Sequence, residues 1–469
     1  MSQPPCQGCR QRDERIAQLE ERLAASEARV RELEDRLGQN ASNSSIPPSA
    51  NPPDAPKPVV KKPTGRKPGG QPGHTAHLRE RLPPERLTET TVHYLPDICQ
   101  ACQDDLPCVP GPDDPEPRWH QVVELPEIPV QVTEYQAHGR TCPSCGHVTW
   151  AKIPNEISDH VCGPRLTATM SFLSGVLHAG KRGIEEFVET VFRVPIALGT
   201  VSNLEAEMSA ALVAAHAEAQ QAVQEAPAKN VDETGWKQAG AKRWLWGAAT
   251  ALVVCFVIAP TRGALGLAAL LGKKIKGIIS SDRWSVYGKL KLGLRQLCWA
   301  HLKRDFQKLV DRGGAGKQYG ELGLAAVQIL FAEWHLFRGG GSRAALQFEL
   351  EPLRKMMRSW LEEGARCSDA KAAALCGNLR AVEPALWTFL YKEGVEPTNN
   401  HIERLLRPGV LWRKNAFGCH SESGCRFVER ILTVVQTLRL QKRPVLEFLH
   451  QSLVSHRSGR PAPRLLPGQ

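Results

Sequence analysis

The sequence lacks a long uncharged apolar run, and it lacks a hydrophobic segment at its start. The apolar stretch from Trp244 to Pro260 is shorter than the roughly 18 residues that a membrane span needs. Its content of Val, Ile and aromatic residues predicts two buried strands instead. The first residues, MSQPPCQGCRQRDER, contain no apolar core of a secretory signal. We therefore expect a cytoplasmic protein with no membrane partner.

Acidic residues are fewer than basic ones. Lys and Arg total 60 against 49 Asp and Glu, which gives a net charge of +11 and a pI near 9.0. This excess favours a polyanionic partner, with nucleic acid ahead of an anionic membrane, although a merely soluble basic protein is the alternative. A chain of 469 residues is too long for one compact core, and we expect roughly two to four folded units.

The 14 cysteines indicate metal sites and buried thiols rather than disulfides, because the cytosol keeps thiols reduced. Two Cys-x-x-Cys pairs, Cys99 with Cys102 and Cys142 with Cys145, present four thiolates that suit a closed tetrahedral Zn²⁺ site. The gap between the pairs exceeds the roughly 15 to 20 residues of a compact zinc ribbon. We predict a zinc-binding module over residues 74–155, with strand-like alternation in residues 122–138.

Apolar residues near the start step by three and four, which predicts a short coiled coil over residues 1–38. A solitary amphipathic helix is the alternative, because three heptads are few. We assign no function to the nearby pair Cys6 and Cys9. The a and d positions are Ile16, Leu19, Leu23, Ser26, Val30, Leu33 and Leu37.

Residues 39–73 contain too few apolar side chains to form a core, and their Pro, Gly, Ser and Asn content predicts a flexible linker. Its basic residues favour weak contact with DNA phosphates, although such runs are often only solvated. They are Lys57, Lys61, Lys62, Arg66 and Lys67.

Residues 156–226 have a helical pattern. One helix is expected to end at Phe192, a break falls at Val194-Pro195, and a second helix begins near Thr200. This arrangement is compatible with a DNA-binding helix-turn-helix. Two ordinary packed helices are the alternative, because the second helix carries Glu205 and Glu207.

Acidic residues stand at structurally informative positions in two later segments. Asp232, in KNVDETGW, lies on the predicted first strand of a meander, and Asp282 directly follows the apolar strand GIIS. Burying an unpaired carboxylate is costly, so a strand ending in Asp282 indicates a metal ion. A further strand is expected to run into a helix that begins with His301 and Arg304.

The third acidic candidate is Glu403, on a helix that Asn399 or Asn400 is expected to cap. A carboxylate among many guanidinium groups indicates bound phosphate, although an ion-paired surface helix is the alternative. The neighbouring cations are Arg404, Arg407, Arg413 and Lys414.

Taken in order, these segments resemble the transposases of the insertion-sequence sixty-six family, also called TnpC-type. The resemblance spans almost the whole chain. It departs from the family in the linker, where NSSIPP lacks the usual Lys, and in the long spacing between Asp282 and Glu403. The motifs that carry it are GRKPGGQPGH at 65, VDETGW at 231, SDRWSVY at 281, CWAHLKRDF at 298, NNHIERLLRP at 399 and RKNAF at 413.

The resemblance implies a multidomain α+β protein with an N-terminal coiled coil, a zinc-binding module, a helical region and a ribonuclease H-like α/β catalytic domain. That domain would cover residues 227–435 with a helical insertion at about 313–390, followed by a C-terminal helix and tail at 436–469. Asp232, Asp282 and Glu403 match the catalytic triad. By this resemblance Asp232 bridges two Mg²⁺ or Mn²⁺ ions, Asp282 holds one, and Glu403 holds the other and orients the attacking water.

In this interpretation basic and polar side chains bind the scissile phosphate and the adjacent DNA backbone. The expected partners are double-stranded DNA of the element ends and the target, further copies of the chain, and accessory proteins of the same element. Two alternatives stay open, a ribonuclease H-like nuclease or resolvase and a DNA-binding regulator whose catalytic domain has decayed. The DNA-binding candidates are His301, Arg304, Asn400, Arg407, Arg413 and Lys414.

Overall fold

The computed structural model describes residues 7–40, 42–44, 80–88 and 92–467. Cys6, most of the predicted linker and the GRKPGGQPGH motif lie outside these ranges. Contacts divide the chain into one unit of residues 1–55 and 132–469 and a second unit of residues 56–131. None of the described helices is both long enough and apolar enough to cross a membrane.

The first unit contains the helices and strands. The strands are β1 (Gly139–Thr141), β2 (Val148–Trp150), β3 (Ala228–Gln238), β4 (Ala241–Ala249), β5 (Val254–Ala259), β6 (Ile278–Ser281) and β7 (Arg295–Leu297). The helices are α1 (Gln7–Leu37), α2 (Asn155–Ser158), α3 (Pro164–Gly175), α4 (Lys181–Phe192), α5 (Leu198–Ala211), α6 (Val213–Glu225), α7 (Ala264–Leu271), α8 (Trp299–Arg312), α9 (Lys317–Arg338), α10 (Arg343–Gly364), α11 (Ala370–Ala381), α12 (Thr388–Tyr391), α13 (Asn400–Ala416), α14 (Glu422–Leu440) and α15 (Val445–Arg457).

Five strands form one mixed sheet in the order β5-β4-β3-β6-β7. β3, β4 and β5 make an antiparallel meander, whereas β6 pairs parallel to β3 and β7 pairs parallel to β6. The two strands predicted between Trp244 and Pro260 are β4 and β5, and β5 is buried along its whole length. The prediction of an α+β chain is confirmed at this level.

The β5 edge of the sheet is covered by α14. Outward N–H groups on β5 donate to α14 side chains: Phe256 to the Thr433 hydroxyl at 2.9 Å, Val254 to the Thr437 hydroxyl at 3.2 Å, and Ile258 to the Glu429 carboxylate. The three acceptors are spaced by four residues and therefore lie on one helical face. Together with His216 of α6, which contacts the Phe256 carbonyl at 2.9 Å, these side chains of α14 take the place of a neighbouring strand.

The β7 edge is covered by the helical insertion between α8 and α13. The Gln296 carboxamide accepts from the Phe389 N–H at 2.8 Å and donates to the Leu386 carbonyl at 3.1 Å. The Thr388 hydroxyl donates to the Arg295 carbonyl at 2.5 Å. Helices α9 to α12 have their own core, in which Trp299 and Phe306 of α8 are fully buried. The insertion predicted at about 313–390 is therefore helical, and it also closes the sheet.

The predicted N-terminal helix is present as α1, whose heptad side chains are exposed in this single chain, for example Leu23 at 60%. A partner helix for it stays a prediction. The end of α1 is held to α8 by an ion pair of 2.9 Å between Asp35 and Arg312 and by a hydrogen bond of 2.9 Å from the Asn43 amide to Asp311.

Helices α4 and α5 end and begin where the sequence predicts, with Arg193 in a left-handed conformation between them. The acidic residues of α5 have partners within the protein. Glu205 accepts from the Ser174 hydroxyl at 2.6 Å, and Glu207 makes two hydrogen bonds, of 2.7 and 2.9 Å, with the Arg457 guanidinium. These carboxylates therefore serve helix packing.

The strands expected within residues 122–138 are absent from the described structure, where this stretch pairs with no strand. Pro126 and Pro129 interrupt the alternating pattern, and proline has no N–H to donate to a neighbouring strand. The alternation was therefore misleading. In this region the described strands are the short β1 and β2 around Cys142.

Candidate active site

Asp232 of β3 and Asp282, which directly follows β6, occupy corresponding positions along two neighbouring parallel strands. In the β3–β6 register Asn230 is opposite Ser280, and each aspartate follows two residues further on. Asp232 lies within β3, Asp282 directly follows β6, and the charge of Asp282 acts on Asp232, so the two side chains belong to one site. The Asp282 carboxylate accepts the Trp284 N–H at 2.8 Å, which fixes the turn after β6.

Helix α13 brings Glu403 to this edge by packing closely on the sheet. Gly247 of β4 is the register partner of Asp232, and a Cβ there would lie 2.9 Å from the Ile402 side chain. A Cβ at Gly409 would lie 2.6 Å from Leu245. Two glycines at the contact thus let α13 approach, with Glu403 on its first turn.

The segment before α13 is fixed to β3 and to the start of α8. The Asn230 amide donates to the Thr398 carbonyl at 3.1 Å, and the Trp299 N–H donates to the Pro397 carbonyl at 2.9 Å. The Asn399 N–H donates to the Cys298 sulfur at 3.3 Å. Asn399 is the N-cap residue, but its side chain makes no capping bond.

The electrostatics show that the acidic residues act on one another. Burial raises the pKa of Asp232 well above its usual range, and the carboxylates of Glu233, Asp282 and Glu403 raise it further. Burial also raises the pKa of Glu233, although this carboxylate accepts from Arg262 at 2.7 Å and from the Tyr287 hydroxyl at 2.8 Å. Glu233 therefore has protein partners, whereas Asp232 lies among like charges that a cation would neutralise.

Two of the predicted DNA-binding residues lie beside Glu403. His301 Nδ1 is 3.6 Å from one carboxylate oxygen, and an Arg304 guanidinium nitrogen is 3.8 Å from the other. Burial lowers the pKa of His301, although the Glu403 charge opposes this effect. The imidazole is consequently held neutral, and the positive charge here comes from Arg304.

The other predicted DNA-binding residues follow along α13. Asn400 is half-buried at the start of the helix, while Arg407 and Lys414 are exposed. Arg413 instead turns to the sheet and donates to the Gly235 carbonyl and, at 3.3 Å, to the Thr234 hydroxyl. This arginine joins the end of α13 to β3.

A group that the sequence analysis did not single out lies next to Glu403. Donor atoms of Cys298, His301 and Glu403 all lie within 4.8 Å of one another, and no other such group of three occurs among the described residues. Burial raises the pKa of Cys298 to about 12. The Cys-x-x-His spacing at the start of α8 was the available signal, but its approach to Glu403 depends on the tertiary fold.

Each Cys-x-x-Cys pair forms a tight turn. The Cys99 carbonyl accepts the Gln103 N–H at 3.0 Å, and the Cys142 carbonyl accepts the Gly146 N–H at 2.9 Å, with Gln103 and Gly146 both at positive φ. Backbone N–H groups within each turn lower the pKa of its first cysteine. Each turn therefore favours the thiolate of its first cysteine, the form that binds zinc.

Comparisons with known proteins find two matching families and one similar protein. Residues 2–80 match a family of unknown function. The uncharacterized protein y4qI of Sinorhizobium fredii is 28% identical over 251 residues, which are 47% of this chain and 45% of that relative. The chain thus spans less than half the length of this relative. Residues 160–426, which include the three carboxylates, match the Transposase IS66 family, and the chain belongs to that family.

Proposed function

We propose that the chain is a DNA transposase that cleaves phosphodiesters at the ends of an insertion sequence and joins them to target DNA. The observation that supports this proposal is that the carboxylates of Asp282, which follows β6, and of Glu403 on α13 act electrostatically on the buried Asp232 of β3. Membership of a transposase family supports the same reaction.

The fold of the catalytic region is proposed to be ribonuclease H-like. Its support is the strand order β5-β4-β3-β6-β7, in which an antiparallel meander continues into two parallel strands. The central strand carries the first carboxylate, and the second directly follows the neighbouring parallel strand. The third arrives on a helix after the insertion.

Two Mg²⁺ or Mn²⁺ ions are the proposed cofactors of this site. Carboxylate oxygens are the ligands these hard cations prefer, and the raised pKa of Asp232 fits a group whose neighbours are like charges. Asp232, Asp282 and Glu403 would hold the ions. When bound, such ions stabilise the attacking and the leaving oxygen of an in-line displacement.

The cationic side chains around Glu403 are proposed to bind the DNA backbone. Arg304 of α8 lies beside the Glu403 carboxylate and can offer its remaining N–H groups to a phosphate. Arg407 and Lys414 lie further along α13, the helix that carries Glu403. His301 and Asn400 would contribute neutral polar contacts near the reacting phosphate. Arg413 is proposed to act mainly through β3, because its guanidinium bonds to Gly235.

A structural Zn²⁺ site formed by Cys99, Cys102, Cys142 and Cys145 is also proposed. The similar turns around the two pairs and the lowered pKa of Cys99 and of Cys142 support it.

We further propose that the heptads of α1 join copies of the chain, that the partners are the DNA of the element ends and target, and that accessory proteins take part. The net charge of +11 fits a DNA partner.

The test is cleavage and strand transfer on a labelled oligonucleotide that carries the element end, with Mg²⁺ or Mn²⁺. Wild type should give a joined product that depends on metal, and Asp282→Asn should give none. Glu393→Gln is the matched control, because Glu393 is an exposed acid ahead of α13 and its loss should leave the product unchanged. Cleavage without joining would favour a nuclease or resolvase. Tight DNA binding without cleavage under either metal would favour a regulator.

A further inference from the structure

A thiol and an imidazole, those of Cys298 and His301, lie beside the Glu403 carboxylate. Cys298 precedes α8, His301 lies on its first turn, and Glu403 lies on the first turn of α13. The Cys298 sulfur, an imidazole nitrogen of His301 and a carboxylate oxygen of Glu403 all lie within 4.8 Å of one another. The beginnings of two packed helices therefore hold three metal-binding atoms at one place.

Hydrogen bonds do not account for this arrangement. Within the described part of the chain, His301 Nδ1 and Glu403 Oε1 are buried and face each other at 3.6 Å, which is too far for a hydrogen bond. Neither the oxygen nor the nitrogen of the Asn399 amide has a partner, although this residue is 0% exposed. Asn399 also contacts the Cys298 sulfur through its N–H. Leaving buried polar atoms without hydrogen bonds is costly, so this cluster indicates a ligand.

We propose that Cys298, His301 and Glu403 form a Zn²⁺ site that competes with the Mg²⁺ or Mn²⁺ ions for Glu403. A thiolate and an imidazole select zinc over magnesium, which takes oxygen ligands. Zinc binding forms a Zn–S bond and releases the thiol proton of Cys298 to solvent. Three protein ligands leave a fourth tetrahedral position for water.

Sharing one carboxylate has a consequence for activity. Glu403 bound to zinc is not available to the magnesium pair, so zinc inhibits the reaction until it dissociates. This consequence rests on the proposed transposase function, but zinc binding itself does not. Cys298 has no role in the proposed reaction, and its replacement should remove the inhibition alone.

The experiment titrates Co²⁺, as a coloured substitute for Zn²⁺, and then Zn²⁺ itself into the full chain. Wild type, Cys298→Ser and the control Cys376→Ser are compared, since Cys376 is a buried thiol of α11 outside the cluster. The other cysteines are common to all three proteins, so they cancel in difference spectra. Wild type and Cys376→Ser should share a sulfur-to-cobalt absorption band that Cys298→Ser lacks. Zinc affinity at this site should fall by at least about 100-fold in Cys298→Ser.

Identical cobalt spectra and zinc titrations for wild type and Cys298→Ser would overturn the proposal. Circular dichroism checks that the variant is folded. If it is not, His301→Gln removes a second ligand and must shift the same band, and an unchanged band would also overturn the site. In the joining assay, zinc should inhibit wild type at concentrations that leave Cys298→Ser active. A lost band with no joining activity in any protein would refute the proposed function and keep the zinc site.

Discussion

Ile402 of α13 occupies the space that a side chain at position 247 would take, directly across the strand pair from Asp232. A Cβ on Gly247 would lie 2.9 Å from Ile402 and 2.9 Å from the Phe256 ring. The distance between β4 and α13 at this point therefore depends on the absence of one methyl group. Because Glu403 follows Ile402, this contact also determines where the third carboxylate lies.

Gly247→Ala should displace α13 and lower both stability and joining activity. Overpacking of a close contact costs about 1–3 kcal/mol, and a small shift of a catalytic group costs roughly 100-fold in rate. Urea unfolding and the joining assay measure the two effects. Ile402→Val removes the methyl group in question, so the double variant should recover part of both losses. No recovery would show that the Phe256 contact dominates.

Asp232→Asn should abolish metal-dependent activity and stabilise the metal-free protein. Burial and neighbouring carboxylates raise the pKa of Asp232, so its charge favours the unfolded chain at neutral pH. Removing that charge should add about 0.5–2 kcal/mol, the usual size of a single stabilising substitution. Thermal unfolding in a chelator and in Mg²⁺ measures this gain. Mg²⁺ should raise the melting temperature of wild type and leave that of the variant unchanged. A variant less stable than wild type in chelator would contradict the expectation.

Glu429 should make stability depend on pH. Its carboxylate accepts the Ile258 N–H and pairs with Arg426 at 2.9 Å, yet burial raises its pKa to about 7. An acid whose pKa is raised on folding contributes stability below its unfolded value, and this stability is lost as the pH rises through the folded value.

Glu429→Gln keeps an acceptor for Ile258 and removes the titration. The variant should therefore gain stability relative to wild type as the pH rises from about 4.5 to above 7, by at most about 3 kcal/mol. Urea unfolding of both proteins at several pH values gives the difference. A difference that stays constant with pH would exclude Glu429 as the titrating group.

Arg457 should be the main anchor of the C-terminal helix. Its guanidinium makes two bonds to Glu207 and donates to the Cys162 carbonyl at 2.8 Å, while only 12% of its side chain is exposed. Arg457→Ala removes both bonds to Glu207 and leaves this carboxylate with His160 at 3.4 Å, so it should cost about 3 kcal/mol, the low end for breaking a buried pair. Arg464→Ala is the control, because the Arg464 side chain is 73% exposed, and it should cost about 0–1 kcal/mol. Equal losses in thermal unfolding would contradict this assignment.

Local patterns allowed much of the catalytic region to be predicted. β6 and Asp282 follow from a short apolar run that ends in a carboxylate, and α8 and the helical insertion follow from their periodicity. These features depend on residues that are near one another in sequence. A helix beginning at Asn399 or Asn400 was predicted for the same reason, although the Asn399 side chain does not cap it.

Contacts between distant residues could not be predicted in this way. Cys298 and Asn399 meet across 101 residues, and Arg413 reaches Gly235 across 178. Their approach depends on how α8 and α13 pack on the sheet. For residues 122–138 a local alternating pattern predicted strands that the structure does not contain. Alternation leads to a strand only where a neighbouring strand can pair with it.

The covering of both sheet edges bears on how copies of this protein can associate. Transposition would gather several copies on one DNA molecule, where open strand edges would face one another at high local concentration and template aggregation. Here side chains of α14 bond to the β5 edge. Thr388 and Phe389 of the helical insertion bond to Arg295 and Gln296 of β7. In the proposed assembly, neighbouring copies would therefore associate through helices and loops rather than by extending this sheet.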